Sequence, residues 1–352
     1  MNTRRLPAMI VLLCMLLAAC AGPDSAPPSP APTETPAPAL TPAPTTKPTP
    51  RPTPSPTPEP LPRIKLREGA ELEWFCGVPF TDPGFEAFGP EGEDRSPDVT
   101  VEGAVTAWRV GDYTLCYRLV EDGETLAEAE RHVRVVPQTL PETVEPPKGT
   151  ICLTFDDGPG EYTAQLLDIL AKYDIKATFF IVARHLHHRD LLTRIADEGH
   201  TIGIHCFNHD DYGMLYLNEK RYFEDFMSAQ EVVYEYTGRY AHVARFPGGG
   251  PTASYLAGLL PGGYDELYGR LRDMGVREYD WNVQPESATK TTEGTLVSFT
   301  HPRRPYEYAV VLQHDTRSFS IAAVERMIVW ALDEGYTFAS LDETFPEIHI
   351  TE

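Results

Sequence analysis

Two adjacent aspartates, Asp156 and Asp157, close the apolar run Ile151–Phe155 and are followed by Gly-Pro. Neighbouring carboxylates can divide a hydrolytic task. One stays ionised on a metal while the other takes a proton from water. Read locally, the same stretch is also a strand, a turn and a helix cap. "HCFNH" places His205 and His209 four residues apart. Two imidazoles and one carboxylate form a three-sided donor set that leaves metal positions open for water and substrate. Arg245, in "ARFPGGGP", can hold a base carboxylate in a partly dry pocket, or simply make a surface ion pair. The glycines after it, Gly248, Gly249 and Gly250, let backbone N–H groups approach a developing oxyanion. His314 ends "YAVVLQHD" and is suited to protonating a leaving amine, or to closing a strand. "HLHH", with His185, His187 and His188, begins a loop before a helix and reads as exposed and incidental.

These residues need elements to bring them together. From Gly149 onward, short β-branched and aromatic runs alternate with amphipathic runs. Strands fall at "TICLTF", "ATFFIV", "TIGIH", "HVARF", "REYDWNV", "YAVVLQH" and "YTFASL". Helical patterns fill most of the gaps, and the stretch near 284–307 reads as irregular. Such alternation means a parallel sheet, and seven strands favour a barrel near the eight-strand type. In barrels the site lies at the strand C-termini. Asp156, Asp157, His205, Arg245, His314 and Asp315 all fall there.

Upstream, residues 63–140 read as a small all-β sandwich with Asp-Pro-Gly and Asp-Gly turns. The segments "VPFTDPGFEAFG", "GDYTLCYRLVEDG" and "RHVRVV" resemble bacterial immunoglobulin-like surface modules. A passive spacer is the plainer reading of such a module and a glycan contact the functional one. Cys76 and Cys116 fall within it and are expected to pair, with Cys152 and Cys206 further on.

"LTFDDGP", "HCFNH", "RFPGGG", "YDWNV" and "LQHD" occur in the order and spacing of the polysaccharide deacetylase family, the NodB homology domain, and this resemblance covers residues 149–346. It implies a distorted (β/α) barrel and metal-dependent removal of N-acetyl groups from GlcNAc-containing polymers. It implies Asp156 as base, and Asp157, His205 and His209 as ligands of a divalent metal, zinc first, with cobalt, nickel or manganese able to replace it. It also implies that Arg245 holds the base, His314 is the acid and Gly248 offers an oxyanion N–H. Leu312 would line the acetate pocket, with Trp281 and Pro247 beside the substrate. Three positions depart from the family pattern. Cys206 stands where Ser or Thr usually follows the first histidine. Gly248 replaces a common Tyr. The Asp expected about six residues after Trp281 is Ser287, so Asp280 or Glu286 tunes His314, or nothing does.

The N-terminus reads as a targeting signal over residues 1–19, with Arg4 and Arg5 before a short apolar core. It ends in "LAAC", which resembles a lipobox and implies a lipid on Cys20. Residues 20–62 are rich in Pro and Thr; 17 of the chain's 34 prolines lie between Gly22 and Pro62. That composition builds no core. As polyproline II it makes a stalk of up to roughly 130 Å. The expected setting is the outer side of a bacterial cell membrane, lipid-anchored, with the chain monomeric. Fifty-two Asp and Glu against 30 Lys and Arg argue against a nucleic-acid partner. Two other functions fit parts of the pattern: a catalytically weak glycan-binding surface protein, supported by the altered fourth motif, and an O-acetyl esterase acting on a xylan-like polymer.

Overall fold

The computed structural model describes residues 61–350, apart from 185, 260, 261, 288, 289 and 303. The signal segment, Cys20 and nearly all of the Pro-rich stretch lie outside the described residues. No helix among the described residues is long and apolar enough to cross a membrane.

The first part is all β: β1 (Arg63–Leu66), β2 (Glu71–Phe75), β3 (Phe85–Phe88), β4 (Val99–Glu102), β5 (Gly111–Glu121) and β6 (Glu124–Val136). β1 pairs with β3, while β2, β6, β5 and β4 form a second sheet in that order. Along β5 the alternation turns Leu115, Tyr117 and Leu119 inward. Arg131 is buried with them. It donates to Asp82 and to the Arg67 and Gly84 carbonyls, and Tyr117 donates to the same Asp82. The cysteines correct the sequence expectation: Cys76 and Cys116 are free thiols. Cys116 alternates to the outer face of β5 beside Glu130, whereas Cys76 is wholly buried after β2.

This module is packed onto the second domain rather than hung from it. Trp108 stacks on Phe223 with ring centroids 5.0 Å apart, and Arg270 lies over the Trp108 ring. Gln138 donates to the carbonyls of Cys76 and Met274, one on each side of the junction.

The second domain runs β7 (Thr150–Asp156), α1 (Thr163–Lys172), β8 (Thr178–Val182), α2 (Asp190–Asp197), β9 (Thr201–Cys206), α3 (Glu219–Thr237) and β10 (Val243–Ala244). It continues with α4 (Gly249–Ala257), α5 (Gly263–Asp273), β11 (Arg277–Glu278), α6 (Thr292–Thr300), β12 (Tyr308–His314), α7 (Ser318–Asp333) and β13 (Thr337–Phe338). β7 is buried along its whole length, as a central parallel strand covered on both faces should be. The sheet order is β11, β10, β9, β8, β7, β12, all parallel.

One segment closes the ring. Arg277 and Tyr279 donate to the carbonyls of His242 and Ala244, whereas Asn282 and Val283 donate to Val310, and Leu312 donates back to Val283. The chain therefore leaves β10 and reaches β12 within a few residues. Among the described residues the ring holds six strand positions, fewer than the eight-strand type expected. β13 is the seventh sequence-expected strand, and it only lies beside the first two residues of β7. Two helices escaped the pattern. α4 opens on Gly-Gly-Pro, and α6 falls in the stretch near 284–307 whose sequence reads as irregular, capped by Thr291 accepting from the Gly294 amide.

Candidate active site

Register brings the expected residues to one rim. His314 pairs with Asp156 and Leu312 with Thr154, so all four side chains face the barrel interior. Asp157 sits in the left-handed region at φ 71°. Few side chains tolerate that conformation, and aspartate is one that does. The turn ends the strand's alternation, so consecutive carboxylates can serve one cavity.

Thr163 and Asp315 brace that turn. The Thr163 hydroxyl donates to the Asp315 carboxylate and accepts from the Gly160 amide. Asp315 is fully buried, and burial pushes its pKa up to about 7. A Cβ at Gly158 would run into that carboxylate. Gly158→Ala is therefore expected to cost about 1–3 kcal/mol, read as a lower urea midpoint with an unchanged slope.

The metal-type donors converge. The Nε2 atoms of His205 and His209 each lie 3.6 Å from Asp157 Oδ1, and a ligand atom from each residue falls within 4.8 Å of the others. His205 Nδ1 lies 2.8 Å from the Arg245 carbonyl. That contact fixes Nδ1 as the donor and turns the Nε2 lone pair toward Asp157. Burial pushes the His205 pKa down to about 3, so the imidazole is neutral and able to ligate. Asp157 Oδ1 is buried with no hydrogen-bond partner, an otherwise costly state. A divalent cation fits this donor set and accounts for the orphaned oxygen. His209 is held through its loop: Asp225 of α3 accepts from the amides of Phe207 and Asn208 at 2.6 and 3.1 Å. Nothing in the sequence pattern marked Asp225, because its partners lie on another element. Of the "HLHH" cluster, His187 is exposed and His188 half-buried, and neither joins a metal-type group.

Arg245 and Asp156 form the second half of the site. Arg245 is fully buried, with Nη1 2.8 Å from Asp156 Oδ1 and 2.7 Å from the Thr154 hydroxyl. Its other N–H groups reach the Tyr279 and Asp280 carbonyls, and its face lies 4.2 Å from the Phe180 ring and 5.6 Å from that of Trp281. Burial raises the Asp156 pKa, against the pull of Arg245 and His314.

His314 has a carboxylate partner, and it is Glu286. Glu286 Oε2 lies 2.8 Å from His314 Nδ1, and its Oε1 accepts from the His314 amide at 3.0 Å. Arg317 donates to the same carboxylate at 2.6 Å. Asp280, the other sequence candidate, is spent elsewhere, accepting from the Gly250 and Ile350 amides. Ser287 turns back to the Gln284 carbonyl. Burial lowers the His314 pKa, but Glu286, Asp156 and Asp157 outweigh it and the net shift is upward. Removing the negative charge should blunt this acid. Glu286→Gln is expected to lower kcat by about tenfold or more with metal content unchanged, checked by steady-state kinetics alongside metal analysis.

The remaining candidates line the same rim. Gly248 stands at the N-terminus of α4 at φ 78°. Pro247 is buried, its carbonyl accepting from Tyr216. Leu312 is buried outside both hydrophobic clusters.

Residues 143–266 match the polysaccharide deacetylase family, and residues 64–135 match the Ig-like domain of bacterial surface proteins. A peptidoglycan-N-acetylglucosamine deacetylase of Bacillus cereus is 30% identical over 203 residues, spanning 54% of this chain and 68% of that protein. The chain belongs to the polysaccharide deacetylase family. Another relative, the Bacillus subtilis peptidoglycan-N-acetylmuramic acid deacetylase PdaA, is 29% identical over 197 residues, covering 55% of this chain and 70% of its own. Among solved structures, the catalytic domain of a peptidoglycan N-acetylglucosamine deacetylase from Eubacterium rectale shares 36% identity at a TM-score of 0.54. It covers 60% of this chain and 96% of its own. This polysaccharide deacetylase is thus a hydrolase with an immunoglobulin-like module ahead of its barrel.

Proposed function

We propose that the protein removes N-acetyl groups from GlcNAc units of peptidoglycan, releasing acetate. The observation that carries this reading is the joining of two constellations on one rim: the Asp157, His205 and His209 donors, and the Asp156–Arg245 and His314–Glu286 pairs. The names of the relatives favour peptidoglycan over other N-acetylated polymers.

A bound divalent cation supplies Lewis acidity, polarising the acetamide carbonyl and lowering the pKa of a water. Asp157, His205 and His209 would hold it, and a nitrogen-rich set favours zinc, with cobalt, nickel or manganese as substitutes. Asp156 accepts the proton of the attacking water, and Arg245 keeps that carboxylate aimed and opposes the upward push of burial on its pKa. The Gly248 amide faces the oxygen on which charge develops. His314, held at Nδ1 by Glu286, delivers a proton from Nε2 to the departing sugar nitrogen. Leu312 gives the acetyl methyl an apolar wall, with Pro247 and Trp281 along the sugar. Cys20 lipidation and the Pro-rich segment would place a monomeric enzyme on the outer membrane surface, within reach of the wall.

Support for a mere glycan-binding protein rested on a missing partner for His314, and Glu286 stands in that place. The test is parallel assay of acetate release from a chitooligosaccharide and from acetylated xylan with added Zn²⁺. Release from the first supports amide hydrolysis. Release from xylan alone would make the enzyme an esterase, and release from neither would refute the hydrolase reading.

A further inference from the structure

Gly248 has no side chain, yet the space where one would begin is occupied. A Cβ there would lie 3.0 Å from Tyr212 Cε2 and 3.1 Å from the Tyr212 hydroxyl oxygen. Tyr212 stands in a short turn, Tyr212–Met214, three residues beyond His209. Its ring centroid lies 4.8 Å from that of His209, inclined by 46°. One half-buried aromatic ring thus spans the gap between a metal-type ligand and the amide assigned to the reacting oxygen. The ring packs on its neighbours, but its hydroxyl makes no hydrogen bond to any described residue. A phenol so placed usually finds a partner, and here the rim is where substrate must lie.

We infer that Tyr212 is a substrate-contact residue, its hydroxyl donating a hydrogen bond to the N-acetyl sugar beside the Gly248 amide. The assignment rests on the deacetylase reading. It makes Tyr212 a determinant of sugar binding rather than only a buttress for His209. Gly248, which its φ of 78° already favours as glycine, leaves the phenol its place, since a Cβ there would press on the Tyr212 ring and hydroxyl. The contact exists in the bound ground state as well as later, so its loss should appear chiefly in KM.

Tyr212→Phe separates the two roles, since it keeps the ring against His209 and Gly248 and removes only the hydroxyl. Acetate release from a chitooligosaccharide is measured for both proteins, with bound zinc and Tm determined in parallel. The expected result is a fall in kcat/KM of about tenfold, mostly in KM, with zinc content and Tm as in the wild type. Wild-type kcat/KM in the variant would overturn the assignment, as would a loss that merely tracks lost zinc. An inactive wild type would overturn the deacetylase reading, and this contact with it, whereas an active wild type with an unaffected variant would overturn this contact alone.

Discussion

Replacing Asp156 with Asn is expected to lower kcat for acetate release by about 10³-fold while zinc stays bound. The two halves of the site share one rim, with His314 Nε2 3.8 Å from Asp157 Oδ2, but divide the task. Asp156 is tied to Arg245, whereas the metal-type donors are Asp157 and the two histidines. Asparagine can still accept from Arg245 Nη1, so the local geometry survives, but it cannot take a proton from water. The guanidinium is left without its charged partner, although Thr154, Tyr279 and Asp280 still accept from it. A stability loss of roughly 1–3 kcal/mol should accompany the kinetic one. Steady-state kinetics and zinc analysis on the same preparation check both halves. An Asn variant with near wild-type kcat would remove Asp156 from the mechanism.

Asp157→Ala is expected to act in the opposite way. It removes the only carboxylate of the donor set, and with it the buried oxygen that has no other partner. Zinc affinity should fall by about 100-fold or more, and activity should vanish at ordinary zinc concentrations. The metal also links to stability. A ligand at 100 times its Kd stabilises the folded state by about 2.7 kcal/mol, so zinc should raise the wild-type Tm and leave that of the variant unmoved. Titration calorimetry reads the affinity directly. Full zinc affinity in the variant would refute the ligand assignment. The two variants together distinguish a metal centre with a separate base from a single cluster of four ligands.

Much of this site was legible in the sequence because each part ends a strand. The run Ile151–Phe155 leads into Asp156 and Asp157, and the run Tyr308–Gln313 into His314, so a periodicity argument alone sends them to one rim. Less visible were the parts set by contacts across elements. Glu286 reaches His314 from an irregular loop, and the count from Trp281 pointed one residue too far, at Ser287. Asp225 acts from the middle of α3, where a polar residue on a half-buried helix face is unremarkable in a pattern. Tyr212 needed Gly248 beside it before its position meant anything. All seven expected strands form, but the ring falls short of the eight-strand type because residues 277–283 carry two pairings in one short segment and β13 adds to the side of β7 rather than to the ring. The cysteine expectation failed on facing. Sequence proximity within a small β module cannot show that Cys76 is wholly buried beyond the end of β2 while Cys116 lies on the outer face of β5.

The immunoglobulin-like module is also more than a bead on a string in this structure. Trp108 stacking on Phe223, and Gln138 spanning Cys76 and Met274, join it to α3 and to the end of α5.

The measurement closest to the central claim is mass spectrometry of muropeptides before and after treatment with the purified protein and zinc. Loss of acetyl groups from the GlcNAc residues is expected, with MurNAc unchanged and the Asp156→Asn variant silent. Muropeptides of unaltered mass, or acetyl loss confined to MurNAc, would contradict it.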